Sequence, residues 1–406
     1  MNLKKIKKVS SMKVAGLILG LGASSASAAG FALDVMSARA TGMGSTMVAH
    51  VDEASAIYYN AAGIAQGKGL RLQLGDTMLV SNFTAQPYGG DAVSNRPRAG
   101  FPPHIYATYG ITDSLSVGVG MFTAFGSETH WPGDWAGRVL AIDTALSTFN
   151  FNPEVAYHWG PLRVGAGLQI IRSTVDLVQG INFSASQGSV ELAGGAWGFG
   201  GNAGVQLDIS RAVQAGFSYR SAVKLNYSGD AHFSNVPVAF QSQLKDQSVR
   251  TGITLPDILA LGLAYRPLPR VLISGEIDYY AWQHYRSLDI LFDDSALNSI
   301  NPRHYHHTFN YHLGGEYTVC QPLKLRAGVL YDPTPVSGDF LTPELPDSNR
   351  LNLAVGAGYQ WARFTVDAGY QHLFLIQRNS TVAAFPAHYY AGSANIVSLT
   401  FGYVFN

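Results

Sequence analysis

Four histidines, His304, His306, His307 and His312, crowd one stretch of the chain, and imidazole is a common zinc ligand. No cysteine accompanies them, and they fall where a loop runs into a strand, so surface histidines are the preferred reading. Glu154 and His158 could act as acid and base, but they share the polar face of one alternating strand, which accounts for both. Gly198-Phe199-Gly200-Gly201-Asn202-Ala203-Gly204 has the glycine density of a dinucleotide loop, yet no helix follows it, as that chemistry requires. No Ser/His/acid arrangement stands out. The chain is therefore not expected to be an enzyme, and no catalytic residue, metal or cofactor is assigned. Three aromatics, Phe122, Trp131 and Trp135, lie in or near one loop. A patch that captures a hydrophobic ligand and an anchor at a membrane interface both fit them.

The elements that position these residues are strands. In Phe149–Trp159 one face carries Phe149, Phe151, Pro153, Val155, Tyr157 and Trp159, and the other carries Asn150, Asn152, Glu154, Ala156 and His158. A period of two places these sets on opposite faces of a sheet. About fourteen such segments follow one another: 69–82, 103–110, 114–125, 147–159, 162–175, 196–208, 212–228, 255–266, 270–282, 307–319, 322–332, 350–361, 363–373 and 395–405. Their connections alternate between tight turns, such as Gly160-Pro161 and Gln321-Pro322, and links of about 15 to 30 residues. An all-β, antiparallel transmembrane β-barrel of about 14 strands has this double alternation, with apolar groups toward lipid and polar groups toward a lumen. Tyr109, Tyr157, Trp159, Tyr265, Tyr317, Tyr359, Trp361 and Tyr403 precede the short turns, and Tyr227, Tyr279, Tyr331 and Tyr370 adjoin the long loops. Two such rings of aromatics mark the two membrane interfaces.

Composition agrees. Charged residues make up 13% of the chain, against about 25% in ordinary soluble domains, and glycine contributes 44 residues. Formal net charge is zero, which offers no electrostatic basis for binding nucleic acid. The one cysteine, Cys320, cannot form an internal disulfide. Lys4, Lys5, Lys7, Lys8 and Lys13, the apolar run 14–21 and Ala26-Ser27-Ala28 read as a secretory signal, so residues 1–28 are expected to be removed and Ala29 to begin the mature chain. Residues 29–68 lack strand alternation and include a short helical pattern, Asp52–Ile64. A plug for the lumen is preferred over a disordered tail, and residues 69–406 form the barrel.

The mature start Ala29-Gly30-Phe31-Ala32-Leu33, the pair Gly42-x-Gly44 and Asn60-Ala61-Ala62-Gly63 carry a resemblance, continued in Trp197–Gly204, Tyr219-Arg220-Ser221 and Leu255-Pro256-Asp257. Over essentially the whole mature chain the sequence resembles the FadL family of outer-membrane transporters for long-chain fatty acids and other hydrophobic compounds. The resemblance implies fourteen strands, an N-terminal hatch of short helices bearing the Asn60–Gly63 motif, and a kinked strand that opens the wall sideways. Thr123-Ala124-Phe125-Gly126 matches the kink, with Phe125 and Gly126 as its centre; an ordinary strand-end turn is the other reading of that glycine. A fatty-acid carboxylate would want a basic partner. Gln179 and Asp289 stand where the resemblance places basic residues, and Arg172 and Arg286 are the nearby candidates. Two departures are Ala61 where the family has proline, which leaves the hatch turn less rigid, and the terminal Phe405-Asn406 in place of a terminal aromatic.

The function expected is uptake of long-chain fatty acids or related hydrophobic compounds across a bacterial outer membrane. Its steps are capture at the outer face, hatch rearrangement and lateral release. Neutral aromatic hydrocarbons as substrates, or a non-selective porin, are the alternatives. The expected partners are the hydrophobic ligand and outer-membrane lipid, with the chain acting as a monomer.

Overall fold

The structure, a computed structural model, describes residues 30–405; the expected signal 1–28 and Ala29 lie outside them. Among the described residues, fourteen antiparallel strands close a barrel. They are β1 (Gly69–Pro87), β2 (Pro103–Gly110), β3 (Leu115–Phe122, resumed as Gly126–His130), β4 (Asp143–Trp159), β5 (Leu162–Asn182), β6 (Gln187–Asp208) and β7 (Val213–Arg220, resumed as Val223–Ser234). The chain continues through β8 (Gln247–Leu255, resumed as Ile258–Leu268), β9 (Val271–Tyr280, resumed as Ser287–Phe292), β10 (Thr308–Cys320), β11 (Leu323–Asp332), β12 (Arg350–Trp361), β13 (Phe364–Leu375) and β14 (Ala387–Phe405). Pairing of β14 with β1, from Leu70↔Phe405 to Pro87↔Ala387, closes the sheet and removes its edges.

The outer surface of the lower barrel is apolar because it faces lipid. Leu168, Phe199, Leu261, Leu313 and Val355 are all exposed there. Trp159 and Trp361, 76% and 74% exposed, stand just before the short turns with Tyr109, Tyr157, Tyr265, Tyr317 and Tyr359, as an interfacial ring requires. Tyr331 and Tyr370 face outward near the other end, but Tyr227 does not: it is buried in the lumen with its hydroxyl 2.7 Å from Ser173 Oγ. The reason is a break at Ser221-Ala222. Gly216, Ser218 and Arg220 face inward below it, and Val223, Leu225 and Tyr227 face inward above it. One inserted residue moves a strand's whole side-chain set to the opposite face. Pro256-Asp257 does the same to the neighbouring strand, where Ile258 and Ala260 follow Ile253 and Leu255 as the inward set.

Several strands are longer than the alternation predicts. β5 reaches Asn182, β6 begins at Gln187 and β14 begins at Ala387. In these outer extensions the pattern inverts: Asp176 and Glu191 are exposed, whereas Val175, Leu177, Val190 and Leu192 are buried inside. The wall there stands in water, not in lipid, and encloses an apolar chamber. Below it the inward groups are polar: Asn150, Asn152, Glu154, Asn202 and Gln206.

Residues 30–68 run inside this lower lumen. Helix α1 (Ala38–Gly42) is capped by the Ser37 hydroxyl, which accepts from Ala40 N. Helix α2 (Ala56–Tyr59) leads into a 3-10 turn, Ala61–Ile64, capped by Asn60. Nearly every side chain from Phe31 to Ala65 is buried, which is the burial expected of a plug and not of a tail.

Candidate functional site

The hatch fits because wall and hatch approach backbone to backbone at glycines. A Cβ at Gly204 of β6 would lie 2.0 Å from Asn60 Oδ1, and one at Gly165 of β5 would lie 2.4 Å from the Ala61 carbonyl carbon. On the opposite wall, a Cβ at Gly328 would fall 2.4 Å from Gly44 N and one at Gly356 2.8 Å from Gly42 Cα. These glycines thus serve close packing inside the barrel, as a smooth inner seat for the hatch.

Polar contacts then fix the register. Asn60 is fully buried and its Nδ2 donates to Val48 O at 2.8 Å and to the wall oxygens of Val205 and Phe217 at 3.0 and 3.3 Å. Its Oδ1 accepts from Ala62 N, so the side chain holds the 3-10 turn with Ala61 in it. Gly63 has no room for a Cβ, which would lie 2.6 Å from Val51 O. Arg220, at the break in β7, donates to Ile57 O (2.6 Å), Tyr58 O (2.9 Å) and Asn152 Oδ1 (2.9 Å). At the periplasmic end Arg39 of α1 pairs with Asp52 and lies 3.4 Å from Glu316 of β10. Burial alone would lower the Arg39 pKa, but Asp52, Glu316 and Glu53 hold the guanidinium well above its ordinary range. Neighbouring His50 is buried, with no hydrogen-bond partner among the described residues for either ring nitrogen, and burial together with the Arg39 charge lowers its pKa to about 3.

At the upper end the N-terminal segment of the hatch, Phe31–Leu33, fills a gap in the wall. β3 and β4 pair at Phe122↔Asn150 and again at Gly126↔Ser147, so four steps on β3 meet three on β4. Within the break Leu33 N donates to Ala124 O (2.8 Å) and Gly126 N to Phe31 O (2.9 Å), with Ala32 opposite Phe125, while the Thr148 hydroxyl of β4 accepts from Phe125 N (3.2 Å) and donates to Phe125 O (2.6 Å). On the other side, β2 pairs with β3 only as far as Ile105↔Met121. Gly126 therefore restarts the ladder after the break, and Phe125 sits within it. Phe125 is buried edge-on to Phe31 at 6.2 Å and to Trp282 at 6.3 Å, and Phe31 also meets Tyr285 at 5.8 Å. Trp282 and Tyr285 come from the interruption of β9, so two breaks on opposite walls converge on Phe31.

Asp257 joins the breaks in β7 and β8. It accepts from Tyr219 Oη at 2.7 Å and from Ala222 N at 2.9 Å, and its main-chain oxygen accepts from Ala281 N where β9 is interrupted. The segments Tyr219–Ser221 and Leu255–Asp257 are thus the dislocations themselves. Sequence reading noted these motifs without a role; Arg220 as hatch anchor and the Phe31, Trp282 and Tyr285 cluster were missed. The one available signal was the change of alternation parity across each motif.

The remaining candidates are placed differently from expectation. Phe122 is in the wall and not in a loop: it is fully buried, 5.3 Å from the Tyr58 ring and 5.2 Å from the Arg220 guanidinium. Trp131 and Trp135 are loop residues but offer no exposed patch; they stack at 4.3 Å beneath other loops, with Trp131 Nε1 bonded to Pro343 O. Arg172 and Arg286 do not reach the lumen. Arg172 belongs to the outward set of β5, 5.6 Å from the Trp197 ring, because Ile171 and Ser173 take the inward positions. Arg286 is exposed at the interruption of β9. His312 is buried, its Nδ1 2.9 Å from Gly44 O, and is not a surface histidine.

A closed barrel, a folded hatch in its lumen and a wall broken where that hatch begins define a plugged outer-membrane transporter. The model for the family described as Outer membrane protein transport protein (OMPP1/FadL/TodX) matches residues 19–405, and the chain belongs to that family. It is 24% identical to a putative outer membrane protein of Neisseria meningitidis serogroup B, covering 90% of this chain and 91% of that one. It is 25% identical to the long-chain fatty acid transport protein of Escherichia coli O6:H1, over 66% of this chain and 69% of the relative. Among solved structures, a Pseudomonas aeruginosa FadL homologue superposes with a TM-score of 0.85 at 18% identity, covering 92% and 99% of the two chains. The Pseudomonas putida toluene transporter TodX gives 0.72 at 15% identity over 94% and 98%. The protein is an outer-membrane transporter of a family whose named members carry hydrophobic compounds.

Proposed function

We propose that the protein takes up long-chain fatty acids, as a single barrel, by capture in the apolar upper chamber, withdrawal of the hatch's N-terminal segment and lateral release at the break in β3. One observation carries this reading: Phe31–Leu33 pair with Ala124–Gly126 and so occupy the place where the wall lacks a strand-to-strand ladder. Two main-chain hydrogen bonds and the Phe31 ring hold that closure, and a ligand that wedges against Phe31 competes with both. The chamber favours acyl chains, since each buried CH₂ gains about 0.8 kcal/mol. A ligand passing straight down would meet Asn152, Glu154 and Asn202 and lose that gain, whereas exit through the wall keeps it in apolar surroundings.

A second reading, uptake of neutral aromatic hydrocarbons, is favoured by one observation. Arg172 and Arg286 face away from the lumen, and the buried arginines near the chamber are already engaged, Arg303 with Glu344 and Arg350 with Asp347. Mass spectrometry of lipids that co-purify with the protein, followed by competition between oleate and toluene, separates the two. Bound fatty acid displaced by oleate supports the first reading; toluene binding with no retained fatty acid overturns it in favour of the second.

A further inference from the structure

The outer side of the barrel carries a cleft outside the break in β3; the buried rings of Tyr227 and Tyr285 line its inner end. β8 and β9 pair from Ile258↔Tyr280 downward and again at Val249↔Phe292 and Arg250↔Leu291. Between these ladders the wall opens into a cleft of about 500 Å³. Lys224 and Asn226 of β7, Arg250 of β8, Arg286 of the β9 interruption and Asp289 of the resumed β9 line it. Because Val223, Leu225, Val249 and Ile253 take the inward positions, Lys224, Asn226 and Arg250 face outward and are exposed.

Its height is set by register. Gly195 pairs with Ser228, and Ser228 pairs with Arg250. The Arg172 guanidinium covers Gly195, where a Cβ would lie 2.5 Å from Nη2. Four strands therefore present one row with a cation at each end. Trp197 and Phe199, 56% and 71% exposed, face outward just below that row and mark the top of the apolar band. The row lies where outer-leaflet head groups meet the protein.

The chemistry of the cleft suits a phosphorylated sugar. Among the described residues Lys224, Arg250 and Arg286 have no carboxylate partner, so their charges are available to an external anion. Asp289 Oδ1 is buried in the same cleft without a donor and can accept from a hydroxyl. Asn226, Ser228, Thr254 and Ser287 add neutral polar groups, which an acyl chain would not match. Ser228 opposes Arg250, and Lys224 lies four residues further down the strand, a separation of about 13 Å. A saccharide phosphorylated at two positions meets both cations without either side chain having to fold along the wall toward the other.

We propose that this cleft binds the phosphorylated saccharide head group of the glycolipid in the outer leaflet. The test measures binding of diphosphorylated lipid A to the full-length protein in detergent. It compares the wild type with a Lys224→Gln/Arg250→Gln/Arg286→Gln variant and with Arg211→Gln, which removes one charge in a periplasmic turn. Retained heat-modifiable mobility certifies that each barrel is folded. The triple variant is expected to lose about ten-fold or more in affinity, as removal of charge-assisted contacts does. Arg211→Gln is expected to leave binding unchanged, and dephosphorylated lipid A to bind the wild type as weakly as the triple variant binds the phosphorylated form. Equal affinity of wild type and triple variant overturns the proposal. Displacement of lipid A by an equal concentration of inorganic phosphate would make this a free-anion site, and displacement by oleate would assign it to transported ligand; either result also overturns it.

Discussion

The Arg220 guanidinium lies 5.0 Å over the Tyr58 ring and donates to the main-chain oxygen of the same residue at 2.9 and 3.1 Å. One wall side chain thus grips both the backbone and the ring at the end of α2. Each charge-assisted hydrogen bond of this kind contributes about 1.5–3 kcal/mol. Arg220→Gln is therefore expected to loosen the hatch while leaving the barrel folded. Planar-bilayer conductance should rise above the wild-type level and remain below that of a variant lacking residues 29–68. Wild-type conductance in a folded Arg220→Gln protein would mean that this contact does not hold the hatch.

The glycine seat gives a sharper comparison. A Cβ at Gly204 would collide with Asn60, whereas one at Gly201, three residues earlier on the same strand, comes no closer than 3.6 Å to its neighbours. Gly204→Ala should displace the Asn60 side chain and raise conductance or protease access to the hatch; Gly201→Ala should do neither. The same response from both variants contradicts the seating described above.

The barrel was legible because lipid on one side and a polar lumen on the other impose a strict alternation from Phe149 to Trp159. The outer extensions were not, because the environments exchange sides there: Asp176 faces water and Leu177 faces the chamber, so the pattern inverts just where an apolar-outward template stops. Tyr227 was misplaced for a related reason, a one-residue bulge that resets parity and leaves no mark in composition. The hatch motif Asn60–Gly63 was readable, but its partners were not. Asn60 contacts Val205 O and Phe217 O across more than a hundred residues, and local sequence carries no record of such pairs. Arg172 has the charge a carboxylate partner needs, and a single step of alternation turns it outward.

His50 gives the docked hatch a pH dependence. Its pKa falls from an ordinary value of about 6.5 to about 3 on burial beside Arg39. A depressed pKa stabilises the docked state fully above about 6.5 and loses that contribution as pH falls toward 3. Conductance is expected to increase as pH is lowered from 7 through 5, and the increase should shrink in His50→Gln. An identical pH profile in the two proteins would show that other groups govern the response.

The face assignment on β4 predicts unequal tolerance. Phe151 is exposed to lipid, so Phe151→Arg should cost roughly 2–4 kcal/mol and reduce the yield of folded barrel. Asn152 is no neutral control, since Asn202 and the Arg220 guanidinium already bond to it and a second cation would be repelled. His158 lines the periplasmic mouth, and His158→Arg should fold normally. Equal yields for Phe151→Arg and His158→Arg would place the lipid face incorrectly.

Ala32 and Phe125 test the central claim most directly, because they face each other as a pair that exchanges no hydrogen bonds of its own. Such a pair places Cα atoms about 4.5 Å apart, within disulfide range. In a Cys320→Ser background, Ala32→Cys with Phe125→Cys should oxidise to a cross-link between the hatch and the break in β3. Fatty-acid uptake is expected to stop in the oxidised cells and to return on reduction, with either single variant active throughout. Full uptake with the cross-link quantitatively formed would contradict release through the wall at this position.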